Sequence, residues 1–127
     1  MFQHFDAGRP RGAQGDCQVR ALVVTSGMKY LEAWGKLYED QERYKSCGFE
    51  LVRALREGEY HAGKTMSFPA QRGRKRMTPR EFVLDYPVGA YILKLAKHVV
   101  GVRDGVVYDT WDCRDRCVYS AWEIRRA

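Results

Sequence analysis

The sequence predicts an α+β domain in which N-terminal helices pack on a small C-terminal antiparallel sheet. Three observations carry that expectation. Apolar residues recur at helical spacing in the first half of the chain, and β-branched and aromatic residues fill the last third. Asp104-Gly105 then joins two of the later segments as a hairpin turn. Helices followed by consecutive strands argue for segregated α+β layers rather than alternating βαβ units. The 127 residues suffice for one domain, 1–127, with a modest core.

Taken in order, residues 1–15 are rich in Gly, Arg and Gln and read as an extended leader. Asp16 stands where an N-cap belongs, so a first helix is expected from Cys17 to Ser26, ended by Gly27. Its buried face carries Val19, Leu22, Val23 and Ser26. A second helix is expected over Lys29 to Tyr44, with Leu31, Trp34, Leu37 and Tyr38 as its apolar stripe. Phe49, Val52 and Leu55 suggest a short helix from Phe49 to Arg56, stopped by Gly58. Residues 58–76 read as a basic loop, longer than most connections. Thr78-Pro79-Arg80-Glu81 is a capping box with proline at the first helical position, and the helix it opens ends near Asp85, before Pro87. Strands are expected at Ala90–Leu95, His98–Arg103, Val106–Trp111 and Cys117–Trp122.

Composition narrows the setting. No apolar run reaches membrane-spanning length, and the start lacks the basic-then-apolar pattern of a secretory signal, so a cytoplasmic protein is expected. Cys17, Cys47, Cys113 and Cys117 are then expected to be reduced. Cys113 and Cys117 have zinc-like spacing, but no second Cys or His pair stands nearby to complete four ligands, so neither metal nor cofactor is expected. The net charge is +6, concentrated in Arg72, Arg74, Lys75 and Arg76. That block reads first as a solvated surface and second as a weak nucleic-acid contact. No aromatic residue interleaves with it, so base stacking is not indicated.

The chemistry gathers elsewhere. A thiol in the first turn of a helix meets partly positive amides that favour its anion, and Cys17 sits there. A two-residue Asp104-Gly105 loop places Val102 opposite Val107, Val100 opposite Asp109 and His98 opposite Trp111. His98 and Asp109 then share one face as diagonal neighbours, about 7–8 Å apart in backbone. Asp112 projects to the other face beside Lys97; a bulge would reverse the choice between the two acids. Cys17 is thus the candidate nucleophile, His98 the base and Asp109 the orienting acid. The backbone N–H of Cys17 and the amide of Gln14 are candidates for an oxyanion site, and Trp111 for a wall beside His98.

These blocks carry a resemblance. Gly15-Asp16-Cys17-x-x-Arg20-Ala21-Leu22, Lys97-His98-Val99-Val100 and Asp104-Gly105-Val106-Val107-Tyr108-Asp109-Thr110-Trp111-Asp112, followed by Arg116-Cys117-Val118-Tyr119, resemble small bacterial and phage proteins with a papain-like cysteine-peptidase fold. The opening block is also similar to ovarian-tumour-type deubiquitinases, with Gln14 at the place of a leading Asp in that motif. Papain-type enzymes set their oxyanion glutamine further upstream than Gln14 lies. The resemblance implies a papain-like core and a thiol hydrolase acting on a peptide, isopeptide or other amide through a thioester. Acyl transfer through the same thioester stays open. The competing expectation is a non-catalytic module that binds a host protein or nucleic acid through its basic loop.

Overall fold

A computed structural model of the protein describes residues 1–11, 16–38 and 60–126. Its elements run β1 (Phe2–His4), α1 (Cys17–Ser26), α2 (Tyr30–Tyr38), β2 (Tyr60–Ala62), β3 (Met66–Ser67), α3 (Pro79–Asp85), β4 (Ala90–Leu95), β5 (His98–Arg103), β6 (Val106–Asp109) and β7 (Val118–Arg126). The architecture is α+β. One sheet orders its strands β1-β6-β5-β4-β7-β2, with β3 also pairing β7. The expected helix at 49–56 and the end of the second helix lie outside the described residues.

Hairpin chemistry sets the register as expected. Asp104 and Gly105 both take left-handed backbone (φ 49° and 79°), the twist that suits a two-residue hairpin. Val102 faces Val107 and Gly101 faces Tyr108, without a bulge among the paired residues, but the ladder ends there, so the expected pairs Val100–Asp109 and His98–Trp111 are not formed. A second two-residue loop, Ala96-Lys97, joins β4 to β5 and makes His98 the first residue of its strand, opposite Leu95. At α3 the Thr78 hydroxyl accepts the Glu81 N–H at 3.2 Å and donates to the Glu81 carboxylate at 3.0 Å, so Thr78 caps the helix as expected.

Four expectations are corrected. The leader is not merely extended: Phe2–His4 pair in parallel with Val107–Asp109, so the sheet is not purely antiparallel. Residues 58–76 are not one loop, because β2 and β3 pair with a β7 that runs four residues past Trp122. Gln71 and Arg74 also bridge across a tight turn at Gly73. Strand β6 stops at Asp109, short of Trp111. On α2 the buried residues are Tyr30, Ala33 and Leu37, while Leu31 and Trp34 are exposed. The helix is rotated by one residue because Tyr30 is drawn inward to Asp16.

The sheet buries both faces. Val19, Leu22, Ala33, Leu37, Ile92, Val99 and Trp122 form one core beneath α1 and α2. Phe82, Leu93, Val100, Val102, Val107, Val118 and Ala121 form the other, which α3 covers. Helix α1 lies between the sheet and α2, so every residue from Cys17 to Thr25 is buried. A helix enclosed on all sides needs no polar face. Its approach to β5 depends on Gly101, where an added Cβ would stand 2.7 Å from Val24 Cβ and 3.1 Å from the Ala21 carbonyl.

Gly101→Ala is therefore expected to lower stability in urea unfolding by about 1–3 kcal/mol through overpacking. In a Val24→Ala background the added cost should shrink, because the two sites share one contact.

Candidate active site

Asp16 precedes α1 but makes no side-chain cap. Its carboxylate is buried and committed elsewhere. Oδ1 accepts a close contact from Arg20 Nη1, one turn along α1, and another from Arg9 at 3.2 Å. Oδ2 accepts the Tyr30 hydroxyl at 3.0 Å. Arg20 then reaches across to β6, where Nη2 donates to Asp109 Oδ1 at 3.2 Å. One guanidinium thus ties the start of the Cys17 helix to the acid on the sheet.

Asp109 is 2% exposed and accepts at both oxygens. Oδ1 takes the Thr110 N–H at 2.7 Å as well as Arg20. Oδ2 lies 2.6 Å from His98 Nε2. Burial opposes ionisation of this carboxyl, but the hydrogen bond and charge of His98, the Thr110 amide and Arg20 outweigh it and hold Asp109 below the usual carboxylate range. Of the two acids, Asp109 is the one that touches His98. Asp112 faces away and binds Arg114 at 2.9 and 2.8 Å, a pairing that pulls it down to about 2.

His98 keeps 12% of its side-chain surface exposed. Burial disfavours its cation. Hydrogen bonds to Asp109, Cys113 and Cys17, and the charge of Asp109, overcome that and push the imidazole up to about 11. It is therefore an imidazolium at neutral pH. The Trp111 ring lies 5.0 Å from His98, tilted by 45°, and remains 40% exposed. The Arg116 guanidinium stands 5.8 Å from the Trp111 ring. Cys17, Arg20, His98, Asp109 and Trp111 are thus brought together. Gln14 lies outside the described residues.

Cys113 is the participant that the motifs did not reveal. It is fully buried, with Sγ 3.5 Å from Asp109 Oδ2, and it shares His98 with Cys17. Burial pushes its thiol up. The sequence signal was its position four residues after Asp109; the zinc-like spacing pointed instead to Cys117, which is exposed. Thus the Cys113–Cys117 spacing joins no common site. Cys17 belongs to the core beneath α1 and Cys113 to the opposite core, and the two thiols meet at the imidazole where β5 begins.

The basic block divides. Arg72, Arg74 and Lys75 are exposed, whereas Arg76 stacks 4.5 Å from the Tyr119 ring centre and donates to the Phe68 carbonyl at 3.1 Å. Arg74, Lys75 and Arg76, with Ser67, Phe68 and Met77, line a cavity of about 210 Å³ to which none of Cys17, His98 and Asp109 contributes. Among the described residues, no helix is long and apolar enough to cross a membrane. No protein-family model matches the chain, and neither a curated protein nor a solved structure matches it.

Two outcomes follow from the network. Arg20→Met leaves Asp16 and Asp109 buried without their shared cation, and urea unfolding should report a loss of about 3–5 kcal/mol. Tyr30 is pushed up to about 12 by burial and by its hydrogen bond to Asp16. Above pH 10 the unfolded chain releases that proton and the folded chain does not, so stability falls as pH rises toward 12. Melting curves of Tyr30→Phe should lack this component and converge on the parent across that window.

Proposed function

We propose that the protein is a cysteine-type hydrolase on a papain-like core, with Cys17 as nucleophile, His98 as acid and base, and Asp109 as the group that orients the ring. The observation that carries this reading is the convergence of the three at the start of α1 and the open end of the β5–β6 hairpin, where β5 begins and β6 ends. The His98 imidazolium and the first-turn amides of α1 both favour a Cys17 thiolate. A buried Asp109 at 2.6 Å from Nε2 fixes the plane of the ring and leaves Nδ1 as the nitrogen that exchanges protons.

The thiolate attacks the carbonyl carbon of a peptide, isopeptide or other amide bond. The carbonyl π electrons move to oxygen, where the first-turn amides of α1 meet the developing charge. Collapse breaks the C–N bond, and His98 gives its proton to the departing amine. A thioester remains. Water then attacks it, His98 takes the water proton, and the carboxylic acid leaves with Cys17 restored as thiolate. Trp111 packs against the His98 ring and keeps water from the ring–carboxylate contact. A peptide or protein substrate in a reducing bacterial or phage-infected cytoplasm suits reduced thiols at Cys17, Cys113 and Cys117.

A second reading has one observation in its favour. Arg72, Arg74 and Lys75 stand exposed, the latter two beside a cavity to which none of the triad residues contributes, which suits a weak contact to nucleic acid by charge alone.

Iodoacetamide labelling near neutral pH, followed peptide by peptide, tests the first reading. Cys17 is expected to react at least about tenfold faster than Cys117, although Cys117 is exposed and Cys17 buried. His98→Asn should remove that advantage, and Asp109→Asn should reduce it. If Cys117 reacts first in the parent protein, the nucleophile is misassigned.

A further inference from the structure

The hydrolytic chemistry needs one thiol on His98, yet the ring has two. Cys113 Sγ, His98 and Asp109 present donor atoms that all lie within 4.8 Å of one another. One sulfur, one nitrogen and one oxygen make a donor set that suits Zn²⁺.

The spacing fits. Bonds of about 2.0–2.3 Å to a tetrahedral Zn²⁺ hold sulfur and oxygen about 3.5 Å apart, and nitrogen and oxygen about 3.3 Å apart. Cys113 Sγ and Asp109 Oδ2 already stand 3.5 Å apart. His98 Nε2 and Asp109 Oδ2, now 2.6 Å apart, need to open by under about 1 Å.

The carboxylate is also aimed. Its Oδ1 is held by the Thr110 amide at 2.7 Å and by Arg20 at 3.2 Å, which turns Oδ2 toward the ring and the sulfur. Outer hydrogen bonds of this kind orient metal ligands. Arg20 is bound to Asp109, but it is shared with Asp16, so its opposing charge is offset.

We propose that His98 Nε2, Asp109 Oδ2 and Cys113 Sγ form a binding site for Zn²⁺, with solvent in the fourth position. Binding releases two protons to solvent, one from the Cys113 thiol and one from the imidazolium. The regulatory consequence rests on the thiol-hydrolase reading. A ring whose Nε2 is held by the metal gives up its hydrogen bond to Asp109 and can pass its Nδ1 proton to the departing amine only by becoming an imidazolate, so the metal holds the enzyme inactive until it is removed.

Cobalt(II) chloride is the probe, titrated into the reduced, full-length chain and followed by absorption. The expected result is saturation at one equivalent, with a near-ultraviolet thiolate-to-cobalt band that Zn²⁺ bleaches. Cys113→Ser should abolish that band, while Cys17→Ser and Cys117→Ser keep it. His98→Asn, at a partly exposed position, should weaken binding by at least about tenfold. Absence of saturable binding, or a band that survives Cys113→Ser or requires Cys17, overturns the site. Labelling of Cys17 in chelator-treated protein reports separately on the hydrolase, so the two readings fail independently.

Discussion

The arrangement depends on Arg20. Two carboxylates, Asp16 and Asp109, are buried at different places in the chain, and a buried charge without a partner costs several kcal/mol. One guanidinium meets both. Its planar fork can address two acids at once in fixed directions, which a lysine ammonium cannot. Because Arg20 is one helical turn from Cys17, the pairing also fixes where α1 begins relative to β6. Tyr30 and Arg9 complete the shell around Asp16, so α2 and the β1–α1 connection are drawn to the same point.

This electrostatic tie works only because the backbone permits a close approach. Gly101 removes the side chain that would hold α1 off β5, and the enclosed apolar length of α1 fills the space above the sheet. The tight Ala96-Lys97 loop then places His98 at the beginning of β5, at the margin of the sheet. A residue at that position reaches groups from either face. Cys17 arrives from one core and Cys113 from the other, and both find the same ring.

The two thiols differ in environment rather than in partner. Cys17 is buried at the start of a helix and meets the His98 ring. Cys113 lies in an apolar core beside a carboxylate, where burial keeps it protonated. Nucleophilic chemistry suits the first. Coordination by a metal that can displace a proton suits the second. On the two proposals together, one imidazole serving both gives a direct physical route by which metal occupancy and catalysis exclude each other.

Local sequence determined much of this. Asp104-Gly105 dictated the hairpin and its register, and with them the pairing of His98 with Asp109 instead of Asp112, because two-residue loops leave a strand no freedom to slip. Thr78-Pro79-Arg80-Glu81 likewise dictated α3, since a capping box involves only neighbours. What involves distant residues was decided by the tertiary structure alone. Asp16 became an ion-pair partner and not a cap, the leader and the presumed loop became strands, and α2 turned Tyr30 inward. Cys113 left its sequence neighbour Cys117 for His98 and Asp109. Each of these outcomes depends on which buried polar groups and open strand edges find partners across the fold, and such pairings are set by proximity in space, which periodicity along the chain does not encode.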